Sequence, residues 1–198
     1  MEKYPGRNII KFGKENYDEY KYISNGADFS ITYRFFDDTR ETELSMNVNG
    51  VNILEFERNG SILTTRWNLD ELAEWLRNFI DHMDEDPYPV ETDGEYAAMK
   101  DISARDFDSD DEDEFDAYYD KLDDWNLRHR WHPACAGAIL ADVYFQLVGE
   151  AVEISWNNED AYDGIKFRNI LGGARINKDT FYDTIDDFLK EYAAHWLN

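Results

Sequence analysis

The sequence predicts an α+β fold of two antiparallel sheet-plus-helix halves, joined by an acidic segment that leads into a further amphipathic helix. Three observations predict it. Short runs alternate apolar and polar residues and are separated by turn pairs such as Asn49-Gly50 and Asn59-Gly60, the pattern of half-buried strands in a meander. Each meander is followed by an asparagine and a stretch with apolar residues three and four apart, the mark of a capped amphipathic helix. A third stripe of that kind follows the densest acidic run in the chain.

In order, Phe29–Phe35 alternates as a strand, Asp37-Asp38-Thr39 supplies a turn, and Leu44–Val48 alternates again. Val51–Phe56 is read as the next strand and Ile62–Trp67 as the last of the first meander. Asn68 then caps a helix whose Leu69, Leu72, Leu76, Phe79 and Ile80 share one face, with Glu71 placed as in a capping box. The run Asp84-Glu85-Asp86-Pro87-Tyr88-Pro89 ends it, because proline cannot continue a helix. Residues 84–114 read as an acidic linker, densest at Asp108–Glu114. Phe115, Tyr118, Leu122, Trp125, His129 and His132 then form a helical stripe with the acids at its N-terminus, where negative charge is favoured. Pro133 breaks it, with a short helix through Ala136, and Gly137 and Ala138 allow close packing. Val143–Leu147, Val152–Trp156 and the segment from Ile165 to Phe167 read as strands, with a bend at Gly172-Gly173. Asn177 caps the last helix, whose apolar face is Phe181, Ile185, Phe188, Leu189, Tyr192 and Trp196.

These elements divide into residues 1–90, a meander plus helix, and 91–198, the acidic segment, its helix, and a second meander plus helix; the alternative is one compact domain. The two ends match as a pseudo-repeat, with Leu72, Leu76, Phe79 and Ile80 answering to Phe181, Ile185, Phe188 and Leu189. The competing explanation is that any two Asn-capped amphipathic helices look alike.

Charge narrows the function classes. There are 44 acidic and 20 basic residues, a formal net charge of −24. Such a chain repels nucleic-acid phosphates and anionic membranes and attracts basic partners, although acidity also serves solubility alone. With 42% hydrophobic and 16% aromatic residues there is material for a packed core, so global disorder is excluded. Cys135 is the only cysteine, and Met1–Arg7 lacks the apolar run of a secretory signal. Both features lead to the expectation of a soluble cytoplasmic protein.

The chemistry-bearing candidates are few. His129, His132 and Cys135 have helical ligand spacing for zinc, but no fourth ligand stands out and Pro133 breaks the register. Cys135 with His129 or His132 could form a nucleophile–base pair, yet its neighbours Ala134, Ala136, Gly137 and Ala138 suit a tight helix contact. Asp142 and Glu153 could form an acid–base pair near Trp156; Glu153 on an alternating strand would more simply face away from Val152 and Ile154. Gly172-Gly173-Ala174-Arg175 lacks the phosphate-loop lysine and the dinucleotide fingerprint. No G-x-S-x-G elbow is present, and no basic aromatic platform for nucleic acid. No cofactor is implied.

The segment Trp125, Arg128-His129-Arg130-Trp131-His132, Gly137, Asp142-Val143-Tyr144-Phe145, Gly149 and Val152–Trp156, taken with Arg66-Trp67 and Asp86–Pro89, resembles a family of uncharacterised bacterial proteins associated with immunity and defence loci. The resemblance covers about two-thirds of the chain and, like any motif match, is a hypothesis about context. It implies no catalytic residues.

The expected function is therefore an acidic protein-binding module, an immunity- or antitoxin-like inhibitor of a basic protein such as a toxin or a nucleic-acid-binding protein. It would not bind nucleic acid or membrane directly. Asp108, Asp110, Asp111, Glu112, Asp113 and Glu114 are the expected steering patch, with Tyr118, Tyr119 and Trp125 as candidate anchors, of which Tyr118 and Trp125 suit the core better than the surface. The alternatives are a DNA-mimicking anti-defence protein, which would array its carboxylates in a stripe, and a hydrolase whose pocket would join His129, Asp142 and Glu153.

Overall fold

The structure, a computed structural model, describes residues 20–36, 41–82, 87–131, 139–159 and 161–196. The expected turn at Asp37–Thr39, the helix-ending residues Asp84–Asp86, the short helix through Pro133–Ala136, Gly137 and Ala138, and the metal candidates His132 and Cys135 lie outside the described residues.

The fold is α+β. Its first sheet runs β1 (Lys21–Ile23), β2 (Phe29–Phe35), β3 (Glu41–Val48) and β4 (Val51–Asn52), with β7 (Thr65–Asn68) also pairing with β3, all antiparallel. The Asn49-Gly50 and Asn59-Gly60 turns take the left-handed conformations that the sequence implied, with φ of 50° and 76°, and 52° and 75°. These are the dihedrals that a two-residue hairpin needs to match strand twist.

The first meander does not continue as one sheet. Asn52 ends β4, its side-chain carbonyl accepting the Leu54 N–H at 3.1 Å, and the chain turns at Ile53-Leu54, both wholly buried. β5 (Phe56–Arg58) and β6 (Ser61–Leu63) then form a separate three-stranded sheet with β11 (Lys166–Phe167) from the other half of the chain. The expected single strand at Val51–Phe56 is therefore two short strands in different sheets. The expected strand at Ile62–Trp67 is split in the same way, with Thr64 at the corner.

The third sheet is β12 (Leu171–Asn177), β10 (Ala151–Asn157), β9 (Val143–Val148) and β8 (Arg130–Trp131), in that spatial order and antiparallel throughout. Gly172 and Gly173 do not bend the chain before the last helix; they lie inside β12, opposite Trp156 and Ser155. A Cβ on Gly172 would meet the Trp156 ring at 2.6 Å, and one on Gly173 would meet the Tyr96 ring at 2.5 Å. Their missing side chains make room for two aromatic rings laid on bare backbone.

Four helices complete the fold: α1 (Asp70–His82), α2 (Ala97–Ala104), α3 (Glu112–His129) and α4 (Lys178–Trp196). The asparagine caps form as expected. Asn68 Oδ1 accepts the Asp70 N–H at 2.9 Å and Asn177 Oδ1 the Thr180 N–H at 3.1 Å. The helix α2 falls within the stretch read as a linker, which is thus folded where it is described.

One main core draws on both halves. Phe29, Ile31, Tyr33, Leu44 and Met46 of the first sheet meet Val143, Phe145, Val152, Ile154 and Ile176 of the third through Leu72, Leu76 and Phe79 of α1 and Phe181, Ile185 and Phe188 of α4. Tyr33 meets Phe188 edge-on at 5.5 Å and Phe29 meets Phe181 at 5.1 Å. Because α4 packs on strands of both sheets and on α1, the hydrophobic stabilisation of each half depends on the other. A second, smaller core lies on the opposite face of the third sheet, formed by Tyr88, Ala97, Ala98, Ala104, Leu122, Trp125 and Tyr144.

Candidate protein-binding surface

The third sheet is covered on both faces, which explains why β9 and β10 are almost continuously buried. Val143, Phe145, Val152 and Ile154 point into the main core. Period-two alternation sends Tyr144, Glu153 and Ser155 to the other face, where α2 and α3 lie. Glu153 does face away from Val152 and Ile154, as its alternation implied, but not toward solvent: it is only 2% exposed.

The N-terminus of α2 is seated on this polar strip. No side chain of its own cap residue, Tyr96, bonds to the first turn. Instead Ala97 N–H donates to Glu153 Oε1 at 2.7 Å and Ala98 N–H to Ser155 Oγ at 3.1 Å. A buried carboxylate thus satisfies two needs, the orphan donors of the helix and its positive dipole end. Arg175 adds a contact to Glu153 Oε2 at 3.5 Å.

One turn further along α2, buried Asp101 gathers three more donors: Asn126 Nδ2 at 2.9 Å, Tyr144 OH at 3.1 Å and Tyr88 OH at 3.4 Å. Arg105 lies 3.5 Å from the same carboxylate. Burial, reinforced by the charges of Asp142 and Asp101, raises the Tyr144 phenol well above its ordinary range, and burial with the Asp101 charge does the same to Tyr88. This network ties α2, α3 and the segment after α1 to the third sheet.

With the lobe so anchored, α3 presents its outer face. Leu122, Trp125, Asn126 and His129 point inward. Asp111 caps the helix, accepting from the N–H groups of Asp113 at 3.0 Å and Glu114 at 3.3 Å, so the acidic run does open a helix. Between residues 106 and 124 there are eleven Asp and Glu and a single Lys, and all eleven carboxylates are exposed. The expected patch Asp108, Asp110, Asp111, Glu112, Asp113 and Glu114 belongs to this set.

At the N-terminal end of α3 the acids border an aromatic group. Phe107 stacks on Tyr118 with centroids 3.8 Å apart, Phe115 lies 4.7 Å from Tyr119, and Tyr118 meets Tyr119 edge-on at 5.5 Å. Tyr119 OH donates to the backbone carbonyls of Arg105 at 3.0 Å and Phe107 at 3.1 Å, which fixes the ring group in place. Phe115 is exposed and Phe107, Tyr118 and Tyr119 are half-buried. Beside them an open groove of about 600 Å³ is lined by Glu91, Thr92, Asp93, Ser103 and Asp106. Further along α3, Leu127 is 72% exposed.

Trp125 needs a correction as an anchor: it is 1% exposed, stacked on His129 at 4.3 Å and edge-on to Tyr88 at 4.9 Å. It fills the small core and offers no surface to a partner. Phe107 and Phe115 were missed as anchors, although Phe115 was on the recognised stripe; the signal was their position among acids, where a core residue is out of place.

The residues named for catalysis are not brought together. His129 is buried, with Nδ1 3.0 Å from the Phe145 carbonyl and its ring between Trp125 and Phe79. Asp142 is bound by Arg130 through two contacts of 2.5 and 2.6 Å. Glu153 stands opposite Gln146, four positions along β9 from Asp142, or about 13 Å at the strand rise. Among the described residues no group of three His, Cys, Asp or Glu is placed to hold a metal, and no helix is long and apolar enough to cross a membrane. Comparison with protein-family models, characterised proteins and solved structures found no match.

Proposed function

We propose that this protein is an acidic protein-binding module of the immunity or antitoxin kind, which neutralises a basic protein by covering its cationic surface with the outer face of α3. The observation that carries the reading is the aromatic group of Phe107, Phe115, Tyr118 and Tyr119 set among exposed carboxylates at the N-terminal end of α3. Long-range attraction by the acids speeds the encounter, and desolvated rings then hold the contact. Rings fixed by the Tyr119 hydroxyl lose little freedom on binding, which lowers the cost of association. With one cysteine in the chain no intrachain disulfide is possible, which suits the cytoplasm as the place of action.

The test uses a variant in which Asp108, Asp110, Asp111 and Asp113 become Asn and Glu112 and Glu114 become Gln. Asparagine still caps a helix, so α3 is retained. The partner is captured with the wild-type protein from cells that produce it, and association is measured at low and high salt. The expected result is a rate that falls steeply with salt and is at least about tenfold lower for the variant at low salt, while Phe115→Ala shortens the lifetime of the complex. Equal capture by the variant, with a salt-independent rate, would reject the proposal. Competition by duplex DNA for the captured partner would turn the reading toward DNA mimicry.

A further inference from the structure

We infer a second, separate site: a small-molecule pocket for a monoanion with an apolar body, at the corner where the chain crosses from the β5–β6 hairpin to the first sheet. The cavity is about 310 Å³, at the lower end of the range for ligand pockets. Its apolar wall is the cross-strand pair Phe56 and Leu63 with Phe36 and Ile139. Its polar side is Glu43, Thr64, Arg58 and Arg66.

The corner is rigid. Thr64 Oγ1 donates to the Leu44 carbonyl at 2.6 Å, and Asn52 Nδ2 reaches both Ser45 Oγ and Thr64 Oγ1 at 3.1 and 3.3 Å. Arg66 is held with its guanidinium 3.9 Å from the centre of the Phe36 ring. The hairpin that carries Arg58 is closed by the Asn59-Gly60 turn and paired on its far side to β11. Glu43, Phe56, Arg58, Leu63 and Arg66 of the pocket wall therefore stand on paired strands, with Phe36, Thr64 and Ile139 on the connections.

Charge selects the ligand. Glu43, the one acid in the wall, is already engaged by Arg34 at 3.0 Å and by the Tyr20 hydroxyl. Arg66 is paired with Glu41, but both are about half exposed, and such pairs are weak. Arg58 has no carboxylate within ion-pair distance among the described residues. The wall itself thus carries two arginines against one glutamate, a local excess of positive charge in a chain of net charge −24. Guanidinium groups and apolar side chains in one wall suit a carboxylate on a single ring or short acyl chain, bound by the arginine fork with its body against Phe56 and Leu63. A polyanion such as nucleic acid would be repelled by the rest of the molecule.

The probes are phenylacetate and hexanoate, with phenylacetamide as the uncharged control, titrated into the full chain and followed by amide NMR. Saturable shifts centred on Phe56–Thr64 and Arg66 are expected, with phenylacetamide at least about tenfold weaker. Arg58→Gln, at an exposed hairpin position, should weaken phenylacetate at least about tenfold with the spectrum otherwise unchanged. Leu63→Ser should weaken hexanoate by a similar factor. Absence of saturable binding by either acid, equal binding of the amide, or unchanged affinity in Arg58→Gln would overturn the inference.

Discussion

The α3 region and the corner of the first sheet are opposites in how they handle charge. Residues 106–124 carry eleven carboxylates and one lysine. Residues 41–68 carry four carboxylates and two arginines, and Arg34, Lys166 and Arg168 on the adjoining segments bring that region to within one positive charge of neutrality. In the neutral region most charges are spent on ion pairs: Arg34–Glu43, Arg66–Glu41 and Arg168–Glu55. In the acidic region there are too few bases to pair with. The difference teaches that the acids are spread unevenly; a quarter of them, eleven of 44, stand on about a tenth of the chain.

The two regions also rest on cores of different kinds, and the largest expected effect tests that. The main core is apolar and shared between both halves. Phe188→Ala removes a wholly buried ring that touches Tyr33 and Tyr192 and should cost about 3–5 kcal/mol. Because α4 joins both sheets, chemical denaturation should stay a single transition with a lower midpoint. A variant that unfolds the first sheet alone would break the view that the halves share one core.

The small core is organised around a carboxylate. Asp101→Ala leaves the buried Tyr88, Tyr144 and Asn126 donors without their acceptor, at a cost of about 1–3 kcal/mol. Hydrogen exchange should report the loss in α2 and α3 before the first sheet. The same carboxylate bears on pH. An unfolded tyrosine ionises near its ordinary 10.0, while Tyr88 and Tyr144 keep their protons to higher pH because they are buried, with Asp101 adding to the effect. Above pH 10 the folded state therefore binds more protons than the unfolded one, so stability, complete below that pH, falls as pH rises through it. In Asp101→Asn the Asp101 share of the repulsion is gone, while that of Asp142 on Tyr144 stays, and the fall should be shallower, as urea midpoints on either side of pH 10 would show. Parallel curves would mean that burial, with Asp142 at Tyr144, governs these phenols without Asp101.

This division also separates what the sequence made legible from what it hid. Strands with clean alternation and Asn-Gly turns, and helices whose stripe ran three turns or more behind an asparagine, are where the pattern placed them, because one buried face and one solvent face write a period into the residues. The break at Asn52–Leu54 was not legible, since a strand that changes sheets stays apolar through the corner. The helix α2 was hidden for another reason. Its buried face is Ala97, Ala98, Asp101 and Ala104, so three small residues and a carboxylate stand where a periodicity search expects large apolar ones. Asp101 and Glu153 were invisible as interior groups because their partners come from distant segments. Of the candidate surface, the acidic run, the tyrosines and the inward-facing stripe position of Trp125 were readable in one stretch of chain, while the stacking of Phe107 on Tyr118 depended on the loop before α3.

The smallest expected effect bears most directly on function. Asp116 lies beyond the first turn of α3, where the helix dipole no longer favours a negative charge. Its neighbours four residues away on each side are Glu112 and Asp120, both exposed, and like charges at that spacing each cost about 0.2–0.5 kcal/mol. Asp116→Asn should therefore stabilise the protein by about 0.5 kcal/mol at low salt, and the gain should vanish at high salt. Glu57→Gln is the control from the neutral region: Glu57 stands directly across from Lys166, so its removal should bring no gain. If both substitutions act alike, the acids of α3 carry no stored repulsion and the contrast between the regions fails. If they differ as expected, the helix keeps its charges at a cost to its own stability, and a cationic partner that relieves the repulsion on binding would recover that cost as affinity.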